Sequence, residues 1–311
     1  MPQIVDVMEG KVLRSTGAFY DVLGSDGKRY NCRVRGRIRL EGIKESNPVA
    51  VGDRVLMDLE QDVGSITEIL PRTNHILRQS VKKTGHSHVL AANVDQLLLV
   101  ATLAFPRTSL GFIDRCLVSA EAFRIPQVLV INKIDLLDDQ DRQKLDEVLQ
   151  LYSNIGVNCY SISALHDDPQ DIVDCLKNKT TLVAGHSGVG KSTLLNKISP
   201  AINQSVAEIS QFSEKGKHTT TFAEMFLIAE NTYVIDTPGV KEWGLVDMNE
   251  QEISDYLPEM RDLRLQCKFG SRCLHINEPM CAIINAVEMG SIALSRYESY
   301  LGMVSGSDNR K

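Results

Sequence analysis

The sequence contains the glycine-rich segment Gly185-His186-Ser187-Gly188-Val189-Gly190-Lys191-Ser192-Thr193. It follows the apolar run TTLVA at 180–184 and precedes the helical run LLNKI at 194–198. A glycine-rich turn of this spacing between a strand and a helix is the pattern of a P-loop. Its backbone N–H groups can curl around phosphate oxygens, and the helix N-terminus adds its dipole. We therefore expect these nine residues to bind a nucleotide, with Lys191 on the terminal phosphates during catalysis and the Ser192 hydroxyl on Mg²⁺.

A second motif, Asn132-Lys133-Ile134-Asp135, follows the apolar strand QVLVI at 127–131 and concerns the base. An aspartate here can accept from guanine N1–H and N2–H together, whereas adenine offers no such pair of donors. Asn132 can tie the base loop to the rest of the site, and the Lys133 stem can lie along the purine face. Ser163-Ala164 also follows a strand and suits a loop whose backbone N–H groups meet guanine O6. The motifs together predict that the nucleotide is GTP or GDP.

A third motif, Asp236-Thr237-Pro238-Gly239, follows the strand TYVI at 232–235. Asp236 can hold Mg²⁺ through water, and the Gly239 amide can sense a γ-phosphate. The polar stretch from Ser199 to Thr221 precedes this motif. A threonine there can bind Mg²⁺ only when triphosphate is present, which would make the stretch a switch. We choose Thr220 as that ligand, with Thr219 and Thr221 left open.

The residue that orients the attacking water is less clearly marked. Ras-like proteins use a glutamine directly after the glycine of the third motif, and that place here holds Val240. Unaided hydrolysis is therefore expected to be slow. His218, in the polar switch, is the best local substitute, and the alternative is an ordinary surface histidine.

The order of the motifs is unusual. Common GTPases begin with the P-loop, but here the base motifs at 132–135 and 163–164 precede it. A site is defined by geometry, so the same strands can be joined in another order. Apolar strands alternate with helical stretches from about residue 96 to 243, which predicts a mostly parallel, doubly wound α/β sheet. The sequence thus predicts a circularly permuted P-loop GTPase domain.

The N-terminal residues predict a different fold. Short alternating segments up to about residue 73, broken by turn sequences, indicate an antiparallel barrel of about five strands. Seven basic residues and one acidic residue lie between Lys28 and Lys44. Within that interval, alternate positions on one predicted strand face hold Arg33, Arg35, Arg37 and Arg39. Such a face suits nucleic acid, and the alternative is a solvated strand face.

The C-terminal region is helical and carries a cluster of possible metal ligands. The spacing Cys267-x5-Cys273-x-His275-x5-Cys281 places three thiolates and one imidazole within fifteen residues. This ligand set is typical of a closed structural zinc site. The four remaining cysteines are scattered, and seven is an odd count, so a disulfide framework is not expected.

These motifs together resemble the bacterial ribosome small-subunit-dependent GTPase A family, RsgA/YjeQ. The resemblance implies a barrel of the OB type at 1–73, the permuted GTPase domain at 93–243 and a helical zinc domain at 244–311. The residues from Arg72 to His88 include four basic and no acidic side chains, which predicts a basic linker at 74–92. It also implies a GTP hydrolase that binds the 30S subunit and its 16S rRNA late in assembly. The family more often has four residues between the first two cysteines, where this chain has five.

Composition limits the alternatives. The 311 residues include 43% hydrophobic and 24% charged residues, and the net charge is −6. These values favour a globular protein, and the charge argues against a surface that coats nucleic acid. The scattered cysteines fit a reducing cytoplasm, and no apolar run is long enough to cross a bilayer. We expect a monomer with no DNA or membrane partner. Two other functions remain open: a GTP-gated rRNA-binding module whose hydrolysis is incidental, which Val240 favours, and a small-molecule kinase, which the base motif disfavours.

Overall fold

The chain forms two compact units, each drawn from separate stretches of sequence. The computed structural model describes residues 6–16, 19–35, 49–60, 63–79, 87–199, 202, 223–236 and 248–306. The following ranges make up the first unit: Met1–Leu97, Pro169–Ala184 and Ser192–Val240. The second unit is drawn from Leu98–Asp168, Gly185–Lys191 and Lys241–Lys311.

The first unit contains a closed barrel of five strands. Its strands are β1 (Asp6–Ser15), β2 (Tyr20–Gly24), β3 (Arg29–Val34), β4 (Arg54–Glu60) and β5 (Val63–Ile69). β1 pairs with both β2 and β4. β3 pairs with β2 in antiparallel fashion and with β5 in parallel fashion. β4 and β5 pair with each other, so the ring of strands closes and leaves no open edge. The predicted five-strand barrel is confirmed, but it is not wholly antiparallel, because β3 and β5 run in the same direction.

Alternation along β3 explains how the barrel is filled. Tyr30 and Cys32 are buried, and the residues between and beside them are exposed. Gly64 on β5 faces Cys32, and a Cβ at Gly64 would lie 2.2 Å from the Cys32 Sγ, so only glycine fits. Arg33 is exposed, and its guanidinium lies 4.4 Å from the centroid of the Phe19 ring.

The predicted basic face is described only in part. Arg35 follows the end of β3, and its guanidinium pairs with the Asp58 carboxylate at 3.1 Å. Arg37 and Arg39 lie outside the described residues. Two strands, β6 (His75–Gln79) and β7 (Ser87–Ala92), pair in antiparallel fashion within the segment that the sequence assigns to a linker.

The rest of the first unit contributes strands to the α/β sheet. β11 (Thr180–Ala184) runs parallel to β13 (Thr232–Asp236), and β12 (Glu224–Ala229) runs antiparallel to β13. All five residues of β11 are buried, as expected for a strand covered on both faces. The short helix α3 (Gln170–Leu176) precedes β11. Neither β12 nor α3 is predicted from the sequence.

The second unit holds the other half of the α/β pattern. β8 (Gln96–Ala101) leads into it, followed by α1 (Leu110–Ala122), β9 (Gln127–Asn132), α2 (Asp139–Ser153) and β10 (Asn158–Ile162). β9 and β10 are parallel neighbours, so their carboxyl ends meet at one edge. The Ser109 hydroxyl caps α1 by accepting from Phe112 N–H at 3.2 Å. Helix α4 (Lys191–Ile198) begins at Lys191, within the nine-residue motif, and from Ser192 onward it belongs to the first unit.

The described C-terminal residues form short helices around a core of their own. They include α5 (Pro258–Arg261), α6 (Ala282–Glu288) and α7 (Leu294–Val304), together with several 3₁₀ turns. Val118 of α1 belongs to the same core. Arg296 of α7 is buried and binds both Asp114 of α1 and Glu259 of α5. A buried ion pair therefore fastens the C-terminal helices to α1.

Together these elements confirm the predicted class, which is an OB-type barrel, a permuted α/β domain and a C-terminal helical region. The described helices are all too short or too polar for a bilayer crossing.

Candidate functional site

The P-loop takes a conformation that its glycines make possible. Gly185, Gly188 and Gly190 have φ values of 144°, 84° and 92°, which other residues rarely adopt. A Cβ at Gly185 would lie 2.1 Å from the Val100 carbonyl oxygen, so side chains are excluded there. Val189 is fully buried and anchors the loop between the last two glycines.

Lys191 lies over this loop. Its Nζ donates to the carbonyl oxygens of Gly185 at 2.6 Å and His186 at 2.9 Å. These contacts hold the ammonium group beside the backbone curve that the sequence assigns to phosphate. Ser192 and Thr193 are exposed in the first turn of α4. The exposed Ser187 completes the nine-residue motif.

The Asn132 side chain connects the P-loop to the Ser163-Ala164 loop. Its Nδ2 donates to the Val189 carbonyl oxygen at 2.8 Å, and its Oδ1 accepts from Ala164 N–H at 2.9 Å. The three residues are all buried. One amide side chain therefore joins two motifs, at Val189 and Ala164, that lie 57 and 32 residues after Asn132 in the chain. The tie that the sequence predicts for Asn132 is present, and it occupies the Ala164 N–H assigned to guanine O6.

Lys133 and Asp135 extend the base motif outward. Lys133 has a φ of 64°, and its Nζ donates to the Phe105 carbonyl oxygen at 2.7 Å. Asp135 lies in a 3₁₀ turn, with its side chain 23% exposed. Its pKa is lowered, chiefly by the Ser163 side chain, with His166 and Lys133 acting in the same direction. Asp135 is therefore an ionised acceptor at neutral pH, as a guanine contact requires.

The Ser163-Ala164 loop is closed by an acidic side chain that the sequence analysis does not identify. Asp167 accepts from Ser163 N–H at 2.7 Å, and its own N–H donates to the Ser163 carbonyl oxygen at 2.9 Å. This reciprocal pair fixes the loop directly after β10. The signal in the sequence is an aspartate four residues after a serine, which is too common to be diagnostic.

An aromatic contact supports the P-loop from α1. The Phe112 and His186 rings stack with centroids 3.7 Å apart and an angle of 30° between their planes. Phe112 is 2% exposed, so it is a fixed support for the second residue of the motif. No pattern in the sequence pairs these two positions, because they are 74 residues apart and Phe112 belongs to none of the motifs.

The remaining candidate residues are only partly described. Asp236 ends β13, in register with Val183 of β11, the strand that leads into the P-loop. His218, Thr220 and Gly239 lie outside the described residues.

The cysteine–histidine cluster brings all four predicted ligands together. The candidate ligand atoms of Cys267, Cys273, His275 and Cys281 lie within 4.8 Å of one another, and all four residues are buried. The Sγ atoms of Cys267 and Cys281 are 3.8 Å apart, and the His275 Nδ1 lies 3.5 and 3.3 Å from them. A tetrahedral zinc ion with Zn–S of about 2.3 Å separates its sulfur ligands by about 3.8 Å and sulfur from nitrogen by about 3.6 Å. The cluster therefore fits zinc in both chemistry and size.

Protonation in the cluster is controlled by burial. Burial raises the pKa of Cys273 to about 12 and also raises that of Cys281, while it lowers the pKa of His275. Burial therefore favours the neutral thiols and the neutral imidazole. A divalent cation would reverse the preference at the thiols, because it stabilises thiolates directly.

The loop that carries His275 is held by side chains around it. The Glu278 carboxylate accepts from the N–H groups of Leu274 at 2.7 Å and Ile276 at 2.8 Å, on either side of His275. Tyr297 and Tyr300 of α7 donate to the carbonyl oxygens of His275 and Leu274 at 2.6 and 2.7 Å. These partners fix the ligand loop without any metal contact of their own, and spacing alone does not identify them.

Comparisons with known proteins agree with this geometry. The RsgA N-terminal domain family matches residues 9–66, and the RsgA GTPase family matches residues 69–246. A small ribosomal subunit biogenesis GTPase RsgA of Bacteroides fragilis is 46% identical over 306 residues, covering 98% of each chain. The protein of that name from Christiangramia forsetii is 46% identical, covering 97% of each chain.

Solved structures give the same result. The crystal structure of YjeQ from Thermotoga maritima matches with a TM-score of 0.77 and 34% identity, covering 98% of this chain and all of that one. The structure of YloQ, described as a circularly permuted GTPase, matches with a TM-score of 0.73 and 33% identity, covering 100% of this chain and 98% of that one. This chain therefore belongs to the RsgA GTPase family.

Proposed function

We propose that this GTPase hydrolyses GTP in the biogenesis of the small ribosomal subunit and that 30S subunits stimulate its turnover. The observation that carries the nucleotide site is the Asn132 side chain, which joins the phosphate loop to the Ser163-Ala164 loop. The ribosomal role is supported by the names of full-length relatives at 46% identity. GTP turnover with 30S, 50S, 70S and no ribosomal particles tests the proposal.

The phosphates, the base and Mg²⁺ are held by different residues of the proposed site. Backbone N–H groups from Gly185 to Thr193 hold the phosphates, Lys191 neutralises the developing charge, and Asp135 accepts from the guanine base. Mg²⁺ would be held by the Ser192 and Thr220 hydroxyls and, through water, by Asp236, all of which are hard oxygen ligands. The Gly239 amide would report the γ-phosphate.

His218 is proposed to orient the attacking water. Val240 has no group that can hold water, so the function falls to a side chain from the switch. Ordering of that switch on the 30S subunit would raise the fraction of chains in the reactive geometry. The alternative function, a GTP-gated rRNA-binding module with incidental hydrolysis, predicts equal turnover with and without 30S subunits.

The Cys267, Cys273, His275 and Cys281 cluster is proposed to hold one structural zinc ion. Its four ligands leave no coordination position for substrate, and the ion would supply folding energy to the C-terminal region. The distances of 3.3–3.8 Å between ligand atoms support this assignment.

Contact with 16S rRNA is proposed for the outer face of the barrel. Arg29 and Arg33 are exposed on β3, and their charges can neutralise phosphates. We assign the barrel to residues 1–73, the linker to 74–92, the GTPase domain to 93–243 and the zinc domain to 244–311. The chain is proposed to act as a cytoplasmic monomer with no DNA or membrane partner. Deleting residues 1–73 should weaken 30S binding, and unchanged binding would contradict the rRNA assignment.

A further inference from the structure

The segment Phe105-Pro106, between β8 and α1, touches both motifs of the nucleotide site. The Phe105 carbonyl oxygen accepts from Lys133 Nζ of the base motif at 2.7 Å. Pro106 lies against the phosphate loop, since a Cβ at Gly188 would be 3.5 Å from the Pro106 Cδ. Neither contact belongs to a recognised nucleotide motif.

The loop that carries this segment is fixed at its two ends by buried threonines. Thr108 N–H donates to the Thr102 carbonyl oxygen at 2.8 Å, and Thr102 N–H donates to the Thr108 hydroxyl at 3.1 Å. The Thr102 hydroxyl donates to the Pro106 carbonyl oxygen. Thr102 and Thr108 are 1% and 3% exposed. The backbone of Phe105 is therefore placed by the fold and does not depend on a ligand.

In the proposed guanine-nucleotide site, this segment lies between the phosphate loop and the base motif. The phosphates belong at Gly185–Lys191 and the base at Asp135, so the sugar must pass between them. The Lys133 side chain extends from the phosphate loop to Phe105. A Cβ at Gly190 would lie 3.8 Å from the Lys133 Cε, and the Lys133 Nζ binds the Phe105 carbonyl oxygen. Phe105 thus lies beside the path of the sugar, and its side chain is 71% exposed.

We propose that Phe105 is a nucleotide-contacting residue whose ring packs against the sugar and the adjoining edge of the base. The inference rests on the proposed guanine-nucleotide site. Single exposed apolar side chains are common, so the exposure of Phe105 alone does not indicate a ligand contact. Its position between the phosphate loop and the base motif does. The contact is apolar and does not read the base, because sugars and bases of all nucleotides offer similar apolar faces.

Nucleotide titration calorimetry with the full-length chain tests this contact. Phe105→Ala should weaken binding of GDP and GTP by the same factor of about ten, which is about 1.4 kcal/mol. Phe105→Tyr should bind within about twofold of wild type, because it keeps the ring. Leu294→Ala, which removes a 61% exposed apolar side chain from α7, is the matched control and should change nothing. Binding by Phe105→Ala within twofold of wild type would overturn the proposal.

A second variant covers the case in which Phe105→Ala does not fold. Phe105→Trp in a Trp243→Phe background has a single tryptophan, because Trp243 is the only one in the sequence. Saturating GDP should shift its emission, and an unchanged spectrum would overturn the contact. Wild-type chain that binds GDP no better than ADP would instead contradict the proposed function, so the two failures are distinguishable.

Discussion

Replacing Asn132 with alanine should break the connection between the phosphate loop and the Ser163-Ala164 loop. The substitution removes the donor to the Val189 carbonyl oxygen and the acceptor for Ala164 N–H, which lie at 2.8 and 2.9 Å. Val189 and Ala164 are 0% and 4% exposed, so water cannot replace both bonds while the loops keep their places. Each unpaired buried group costs about 1–3 kcal/mol.

The cost should fall mainly on the nucleotide-bound state. Without nucleotide, the two loops can move apart, and water can then bind the Val189 carbonyl oxygen and the Ala164 N–H. A bound nucleotide requires both loops in place, so these groups stay buried and unpaired. We expect a loss of about 2–4 kcal/mol in binding free energy, which corresponds to a GDP dissociation constant raised about 30-fold to 700-fold.

Isothermal titration of GDP into the variant measures this loss directly. Asn154→Ala is the matched control, because it removes an exposed amide side chain at the end of α2 and should leave GDP affinity unchanged. Circular dichroism should show a folded Asn132→Ala chain. If the folded variant binds GDP within threefold of wild type, the proposed tie between the loops has no energetic role.

Three further outcomes follow from the structure. Asp135→Asn should move nucleotide preference from guanine to xanthine, because the amide can donate where the carboxylate accepts; competition binding measures this, and unchanged GTP preference would refute it. Protein purified without chelators should contain one zinc per chain by metal analysis, and Cys281→Ser should lower that content and the melting temperature; absence of zinc in the wild type would contradict the site. Arg296→Met should lower the free energy of unfolding by about 3–5 kcal/mol in urea titrations, since it leaves Asp114 and Glu259 without their buried cation; a loss under 1 kcal/mol would be inconsistent with that network.

The sequence predicts the parts of the fold that have local signals. Apolar runs give β9, β11 and β13 to within one residue at each end, because parallel strands that are mostly buried are continuous in hydrophobicity. β12 (Glu224–Ala229) is not predicted, because it directly follows the polar stretch that the sequence assigns to a switch. The pairing of β6 with β7 was also missed, since basic residues in that interval resemble a linker.

The candidate site shows the same division. Motif residues such as Lys191 and Asn132 can be found from spacing, because phosphate and base recognition require certain residue types at certain distances. Phe105 and Phe112 cannot be found in this way, because their contacts join parts of the chain that are far apart in sequence. The contact of Phe105 needs only a carbonyl oxygen, and that of Phe112 needs only a ring. Glu278 is similar: it orders the His275 loop through backbone N–H groups, which any neighbouring carboxylate could do.

A small-subunit GTPase is tested most directly by GTP turnover of the full-length chain at saturating GTP, alone and with purified 30S, 50S or 70S particles. We expect slow turnover alone, clear stimulation by 30S subunits and the least stimulation by 50S subunits. His218→Ala should lose the stimulated rate while keeping GTP affinity, because its proposed role is in orienting water. Equal turnover in all four samples would contradict a GTPase that acts on the small subunit.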